Sequence, residues 1–434
     1  MNAVVDKAVK LIGEPTLKRT LIISVILFVL IIAYTCICGK WGDVYHYFVQ
    51  SGHVLEGFVS YKDFVFEYPP MSMFFMLIPR IFTSNYDTYC FLHAAFSVAF
   101  FAIGLLYLYK IAEKHALSKK RMAIIVLGVI LFANYFLVAR NDVFPTVICI
   151  MAIYYFLEKR YTLVWILLAI GTMTKLYPSV LALGLVAYMI GNREYRNALM
   201  GVGIVAAVCL LISLPFIILD PSTAFAYLTY HSDRGLQVES VASSIIMVIN
   251  IFIPGIITVE FNYGSDNIVG PIPDAIASVA NMALAAAFMI FIIAVIIHMR
   301  KDQKEGKETA DPKLAVLICV AMLMLFITFC KVFSAQYIIW TMMLMIFAQF
   351  ACFDTKSRDQ MLAVMVVYGL MSAFNGYYTY FNMIDLEATG VIVIFIRNIA
   401  QIILTLLVLK MIYLRLKNGP ETTTSEEVEA HPTD

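Results

Sequence analysis

Charge is scarce in this sequence. Only 14% of its 434 residues are Asp, Glu, Lys or Arg, and their formal charges nearly cancel to +1 at pH 7. This balance gives no reason to expect a nucleic acid or a strongly acidic partner. Polar stretches are also short, because 62% of the residues are hydrophobic. A soluble domain of this composition is excluded, and the recurring apolar runs predict a polytopic membrane protein surrounded by lipid.

Paired cysteine spacing is missing as well. The eight cysteines fall within or beside apolar runs, with no CxxC pair and no accompanying histidine cluster. We interpret them as small hydrophobic packing residues, and the sequence predicts no metal site.

The apolar runs predict an all-α protein of about 12 transmembrane helices. The predicted spans are 20–38, 88–110, 122–138, 142–157, 161–174, 176–191, 197–219, 275–298, 314–330, 334–352, 361–380 and 390–412. A further apolar stretch, 241–258, would place an acidic, lysine-free segment in the cytoplasm if it crossed the membrane. We therefore interpret it as re-entrant or interfacial.

The distribution of basic residues orients the chain. With the N-terminus inside, 23 of the 31 Lys and Arg residues fall on the cytoplasmic side, seven fall outside, and Arg397 lies within a span. The predicted organisation is a cytoplasmic segment (1–19), a transmembrane domain (20–413) and a disordered, acidic cytoplasmic tail (414–434). An unpaired charge within a span is costly, so Arg397 needs a partner, either a carboxylate such as Asp385 or a lipid phosphate.

Two outer loops, 39–87 and 220–274, are too long to be simple turns, and we expect the functional surface there. The first loop interleaves acids with aromatic rings, a combination that suits a sugar. Its candidate substrate contacts are Trp41, Tyr45, His46, Asp63, Glu67 and Tyr68. Asp43 lies at the membrane boundary, where its carboxylate could act as a general base. The alternative is that Asp43 caps a juxtamembrane helix that begins at Val44. The apolar stretch 71–82 is too short to cross and is expected in the interface.

Positive charges on the outer side oppose the orientation rule and therefore suggest an anionic ligand such as a lipid phosphate. The alternative is that each cation pairs with a nearby carboxylate or reaches the headgroups. The candidates for binding the phosphate or its sugar are Arg140, Asp142, Lys175, Tyr177, Arg234, Lys331, Gln336 and Tyr337. The second loop adds His231, Gln237 and Glu239, although His231 is also explained as a solvent-exposed loop histidine.

Five short islands in this order carry a family resemblance: the GD of WGDVY, FEYPP, ARND, TKLYP and SAQYIIW. From about residue 40 to about 342 the sequence resembles the GT-C superfamily of polyprenyl-phosphate-sugar-dependent glycosyltransferases, most closely the membrane mannosyltransferases of glycosyltransferase family 87. The resemblance implies a GT-C-like fold with a long first extracytoplasmic loop that contains juxtamembrane helices.

The resemblance also implies an activity. A sugar, here mannose, would move from a polyprenyl-phosphate donor to a glycolipid, glycan or protein acceptor at the extracytoplasmic face of the cell membrane, with inversion. The general base would be Asp43. Relatives often carry two neighbouring acids in this loop, whereas this chain has only Asp43 in WGDVY, so Asp63 and Glu67 remain alternatives. No cofactor is expected, and a divalent cation is not expected to be essential.

A secondary transporter or lipid flippase is the alternative from a different functional class, because twelve spans are common among carriers. Carriers place ionisable residues near the bilayer midplane, in related positions of two halves. Here only Arg397 lies well within a span, and the two halves show no repeat. The charge distribution therefore favours the transferase.

Overall fold

Helices form from the apolar stretches because backbone groups in hydrocarbon must hydrogen-bond within the chain. The computed structural model describes residues 42–115, 119–352 and 355–418. It begins with two short helices, α1 (Gly42–Leu55) and α2 (Met71–Arg80), which pack on each other and on the following helix. Pro69 and Pro70 separate α2 from the extended segment before it. These are the juxtamembrane helices expected in the first loop.

The remaining helices run back and forth through one bundle. The first part consists of α3 (Tyr86–Lys114), α4 (Lys119–Ala139), α5 (Val143–Leu157), α6 (Tyr161–Thr174), α7 (Pro178–Gly191) and α8 (Tyr195–Leu219). An irregular part follows, with α9 (Ala226–Ser232), β1 (Leu236–Gln237), α10 (Val241–Phe252), β2 (Thr258–Asn262) and β3 (Ser265–Val269). The last part consists of α11 (Pro271–Lys304), α12 (Pro312–Phe329), a 3₁₀ helix (Ala335–Tyr337), α13 (Ile338–Ala351), α14 (Thr355–Phe374), a π-helical turn (Asn375–Thr379), α15 (Tyr380–Ile384) and α16 (Ala388–Asn418).

Among the described residues, seven helical segments are long and apolar enough to cross a membrane: α3, α4, α8, α11, α12, the continuous segment from α14 to α15, and α16. The all-α polytopic fold is therefore confirmed. Each predicted span within the described residues coincides with a helix of the bundle, whereas the predicted span 20–38 lies outside them. The core is formed by α12 and α13, whose side chains are almost all buried.

Four of the bundle helices are short. α5 has 15 residues, and α6, α7 and α13 have 14 each. At 1.5 Å per residue they are about 21–23 Å long, compared with about 30 Å for the hydrocarbon core of a bilayer. Polar islands interrupt the apolar pattern at one end of each, including Asp142 before α5 and Lys175 after α6. We call this end of the bundle the site face.

The stretch 241–258 does not cross the bundle. β1 pairs with β3 in antiparallel register, and β3 pairs with β2, so the sheet order is β1-β3-β2. Because α10 leaves from β1 and the chain returns to the same sheet, both ends of α10 lie at the site face. This agrees with the re-entrant or interfacial interpretation. The three-stranded sheet itself was not predicted.

At the opposite end, α16 continues to Asn418, past residue 414 where the tail was predicted to begin. The Arg415 side chain is buried, where it pairs with Asp311 and donates a hydrogen bond to the carbonyl of Ala351 at 2.7 Å. This ion pair holds the end of α16 against α12 and α13. Residues 419–434 lie outside the described residues.

Two glycines of α8 provide a matched test of helix packing. A Cβ atom on Gly201 would lie 2.1 Å from the ring of the buried Trp165 on α6, whereas no described atom lies within 4 Å of one on Gly203. We expect Gly201→Ala to destabilise the protein by about 1–3 kcal/mol through overpacking. Gly203→Ala should stabilise it by roughly 0.5–1 kcal/mol through helix propensity. Thermal unfolding in detergent checks both, and equal melting temperatures for the two variants would contradict the close contact between α6 and α8.

Candidate functional site

Loops from distant parts of the sequence meet at the site face around an open cleft of about 730 Å³. Eleven of its lining residues are among the candidates chosen from the sequence. They are Asp43, His46, Glu67, Tyr68, Arg140, Lys175, Arg234, Gln237, Glu239, Gln336 and Tyr337. The cleft therefore brings together both outer loops and the polar islands between the spans.

Asp43 lies in the first turn of α1, and its carboxylate contacts the guanidinium of Arg140 in the loop between α4 and α5. The helix begins at Gly42 rather than at Val44, so Asp43 is within the first turn and is not its N-cap. Burial lowers the pKa of Arg140, and the nearby carboxylates of Asp142 and Glu239 oppose that shift. The pair places a carboxylate and a cation side by side on the cleft wall.

Lys175 follows α6, and its side chain lines the cleft. Its ammonium lies 2.7 Å from the buried carboxylate of Asp142 and 5.0 Å from the ring centroid of Trp340. Trp340 is stacked between Tyr337 and Tyr177, at centroid distances of 3.7 and 4.0 Å. The stack and the ion pair fix the position of the lysine. Asp142 and Tyr177, chosen from the sequence as binding residues, lie behind the cleft surface and support Lys175 and Trp340.

Glu239 lines the cleft, but its carboxylate is fully engaged by protein groups. It lies 3.5 Å from Arg397 and accepts hydrogen bonds from the backbone of Ala335 at 3.2 Å and the amide of Asn375 at 3.0 Å. Of the two expected kinds of partner for Arg397, a carboxylate or a lipid phosphate, the structure shows a carboxylate, and it is Glu239 rather than Asp385. Burial raises the pKa of Glu239, while Arg397 acts to lower it. This network joins α16, the π-helical turn and the loop that carries Gln336 and Tyr337.

Gln237 holds the same loop from the opposite side. Its side-chain oxygen accepts a hydrogen bond from the backbone of Phe333 at 2.8 Å, and its side-chain nitrogen donates to the hydroxyl of Ser334 at 3.0 Å. The backbone N–H of Gln237 donates to the carbonyl of Lys331 at 3.0 Å. Gln237 and Glu239 therefore fix the loop 331–337 where it borders the cleft.

Arg234 is the cation on the cleft wall without an ion-pair partner among the described residues. Its Nε is buried and makes no hydrogen bond to any of them. Arg140 and Lys175, in contrast, each contact a carboxylate. Arg234 thus leaves a positive charge available to a ligand in the cleft.

Residues 66–258 match the family model of Glycosyltransferase family 87. This match supports a GT-C-like membrane glycosyltransferase, an enzyme that needs a sugar donor and an acceptor. The matched region contains Glu67, Arg140, Lys175 and Arg234, whereas Asp43 precedes it. The chain has no match among the curated proteins and none among the solved structures.

Some residues chosen from the sequence are not brought to the cleft. Tyr45 packs edge-on against Tyr86, and Asp63 is exposed in a local turn, where it accepts a hydrogen bond from the backbone of Val59 at 2.7 Å. Lys331 is buried and is not among the lining residues. Two further candidates belong to neither group, because only the backbone of His231, in α9, is described and Trp41 is not. Asp63 is consequently a weaker candidate for the base of a glycosyltransferase than Asp43 or Glu67.

The cleft also contains residues that the sequence reasoning missed: Tyr230, Phe261, Ser265, Asp266, Tyr380 and Phe381. Burial, together with the Glu67 carboxylate, raises the pKa of Tyr230 to about 12, so its hydroxyl stays protonated. The Asn-Tyr-Gly sequence at 262–264, between two stretches of strand-like residues, is a hairpin signal that could have located Phe261 and Asp266. Tyr380 falls inside a predicted span, where no local pattern indicates a site.

The protonation of Lys175 gives a testable pH dependence. Burial lowers its pKa, with Asp142 opposing the shift, so the ammonium loses its proton at a lower pH than an ordinary lysine of pKa about 10.4. If this cation binds the donor, sugar transfer should fall on the alkaline side as pH rises through the lowered pKa. Arginine stays charged, so Lys175→Arg should move the alkaline fall to higher pH.

The measurement is the pH dependence of kcat/KM for the donor. Lys62→Arg, at an exposed lysine away from the cleft, is the control and should leave the profile unchanged. Superimposable alkaline limbs for the wild type and Lys175→Arg would contradict a role for the charge of Lys175.

Proposed function

We propose that this protein transfers a sugar, mannose, from a polyprenyl-phosphate donor to an acceptor hydroxyl with inversion, and that Asp43 is the general base. One observation carries the proposal: the cleft places the Asp43 carboxylate on the same surface as three cations, Arg140, Lys175 and Arg234. A base and a phosphate-binding group are the two requirements of this transfer.

The reaction balances with these groups alone. The acceptor oxygen forms a bond to the anomeric carbon of the donor, and its proton passes to the carboxylate of Asp43. The bond between the anomeric carbon and the phosphate oxygen breaks, and its electron pair stays on the lipid phosphate. Cations around that phosphate stabilise the charge that develops as the bond breaks. One displacement of this kind inverts the anomeric centre, so a β-linked donor would give an α-linked product.

The cations differ in how they would meet the phosphate. Lys175 and Arg140 are already held by carboxylates, so they present donors in fixed positions with part of their charge offset. Arg234 has no carboxylate partner among the described residues, so its positive charge is not offset in this way. We infer that Arg234 is the principal phosphate ligand and that Arg140 and Lys175 orient the group.

Glu67 is the rival for the base, because it also lines the cleft. Its surroundings differ from those of Asp43: Tyr230 and Tyr68 both make hydrogen bonds with its side chain. A carboxylate has about four lone-pair sites, so neither these contacts nor the contact of Asp43 with Arg140 excludes proton transfer. Asp43 is the proposed base because the family resemblance assigns that role to the acid of WGDVY.

We further propose that the site face is extracytoplasmic and that the product belongs to the glycolipids of the cell envelope. The loops at the opposite end of the bundle carry most of the lysines and arginines, as the orientation rule requires of the cytoplasmic side.

The test is an assay of the purified protein in nanodiscs with radiolabelled polyprenyl-phosphate mannose, an extract of native membrane lipids, and parallel reactions with and without a chelator. We expect label to move to a new glycosylated product, whose anomeric configuration is opposite to that of the donor. Polyprenyl-phosphate glucose is the donor control. If label stays on every polyprenyl-phosphate sugar, while proteoliposomes carry a lipid or solute across, the transferase proposal is wrong and a carrier takes its place.

A further inference from the structure

The hairpin formed by β2 and β3, residues 258–269, extends over the cleft. At its tip Tyr263 and Gly264 have positive φ angles of 48° and 68°, which produce a tight turn. A Cβ atom on Gly264 would lie 3.1 Å from the Tyr230 hydroxyl and 3.4 Å from a carboxylate oxygen of Glu67. The tip therefore lies directly against one wall of the cleft.

The same hairpin is attached to the other wall. The hydroxyl of Tyr380, at the start of α15, donates a hydrogen bond of 2.6 Å to Asp266 on β3. β1 pairs with the back half of β3, through Leu236 with Ile268 and Gln237 with Asn267. The hairpin thus bridges the cleft from the first loop to the last helices. The family match ends where β2 begins and assigns the hairpin no role.

The face that the hairpin turns toward the cleft carries an aromatic ring and a carboxylate side by side. Phe261 and Asp266 are cross-strand partners, and both line the cleft. Phe261 keeps 73% of its surface exposed, and no described residue donates a hydrogen bond to the second oxygen of Asp266. An exposed ring beside an available acceptor is complementary to a sugar, whose C–H face stacks on the ring while a hydroxyl donates to the carboxylate.

The hairpin end of the cleft presents two carboxylates, Asp266 on β3 and, beneath the tip, Glu67. Both can accept hydrogen bonds from the hydroxyls of a sugar. Arg234 lies at the same end, beside Tyr230 under the tip. A saccharide held by Asp266 would therefore lie next to a phosphate held by Arg234, as transfer between the two substrates requires.

We propose that the cleft-facing side of the hairpin, with Asp266 and Phe261 as its binding residues, is the acceptor subsite and that the acceptor is a saccharide. This inference rests on the proposed function, because it assigns the second substrate of the same cleft. A peptide acceptor would need backbone partners, and β2, the edge strand of the sheet, offers them only along its outer edge. The ring and the carboxylate inside the cleft favour the saccharide.

The experiment compares Asp266→Asn with Glu260→Gln. Both changes neutralise a carboxylate of the same hairpin, but Glu260 is exposed and is not among the residues that line the cleft. Transfer from labelled polyprenyl-phosphate mannose is measured with a series of octyl glycosides of one to three sugars and with a peptide that contains serine and threonine. We expect the KM for the octyl glycoside to rise at least tenfold in Asp266→Asn, with the donor KM within twofold of wild type. Glu260→Gln should match the wild type in both.

Phe261→Ala is the second variant, and it should raise the same KM even if Asp266→Asn expresses poorly. Equal acceptor KM values in all three variants and the wild type would contradict the proposed acceptor subsite. Transfer to the peptide and to no glycoside would contradict the proposal that the acceptor is a saccharide, while the proposed transferase activity would stand. If the wild type consumes no donor with any acceptor, the proposed function fails, and the acceptor subsite fails with it.

Discussion

Replacing Asp43 with asparagine is expected to lower the rate of sugar transfer by about 10²–10⁴-fold, the usual contribution of a general base. The amide is nearly the same size as the carboxylate but cannot take the proton of the acceptor hydroxyl. Because Asp43 lies on the wall of an open cleft, in contact with Arg140, the change leaves the bundle core untouched. The melting temperature should therefore fall little compared with the activity.

The measurement is the initial rate of label transfer under saturating donor, together with thermal unfolding of each variant. Asp63→Asn is the matched control: the same substitution in the same loop, at an exposed turn away from the cleft, should retain nearly full activity. Glu67→Gln tests the rival carboxylate. Full transfer by Asp43→Asn together with loss in the Glu67 variant would move the base to Glu67.

Replacing Arg234 with glutamine is expected to reduce kcat/KM for the donor by about 10–150-fold. This corresponds to roughly 1.5–3 kcal/mol, the worth of a hydrogen bond to a charged group, at about 1.4 kcal/mol for each factor of ten. The physical reason is that Arg234 has no ion-pair partner among the described residues, so its charge is directed to the ligand. No buried carboxylate loses its partner in this variant, and the protein should remain folded.

Arg80→Gln is the control for Arg234→Gln. Arg80 lies at the end of α2, with its guanidinium over the ring of Phe48 at 4.4 Å and a hydrogen bond to the carbonyl of Thr83, and it does not line the cleft. Its replacement should leave the donor kinetics within about twofold. Unchanged donor kinetics in the Arg234 variant would contradict the proposed role of Arg234 in binding the donor.

Hydropathy and charge were sufficient to predict the helical bundle, because in a membrane the apolar length of a segment largely determines its structure. They also indicated which polar islands would lie at the same end of the bundle. In the structure, Asp43, Arg140, Lys175 and Arg234 line one cleft, although 191 positions separate the first from the last. Alternation of the spans makes that convergence predictable, since every second loop lies at the same face.

The contacts inside the site were not predictable in the same way. The ion pair between Glu239 and Arg397 joins residues 158 positions apart, and only packing decides which carboxylate reaches the arginine. Asp385 is closer in sequence but remains at the end of α15. Similarly, the contact of Tyr380 with Asp266 depends on the π-helical turn that precedes α15, and nothing in the apolar pattern indicates that turn.

The short helices have a consequence for the response of the enzyme to salt. The ends of α5, α6 and α7 opposite the site face carry polar residues such as Glu158 and Asn192, so those ends lie near one membrane surface. Their other ends then stop about 7–9 Å below the second hydrocarbon boundary. Lys175, whose side chain is 19% exposed, is consequently reached through the open cleft and not from a flat membrane surface. Because partly buried charges are screened less than exposed ones, salt should weaken donor binding less here than at an open surface, where the Debye length is about 8 Å at physiological ionic strength.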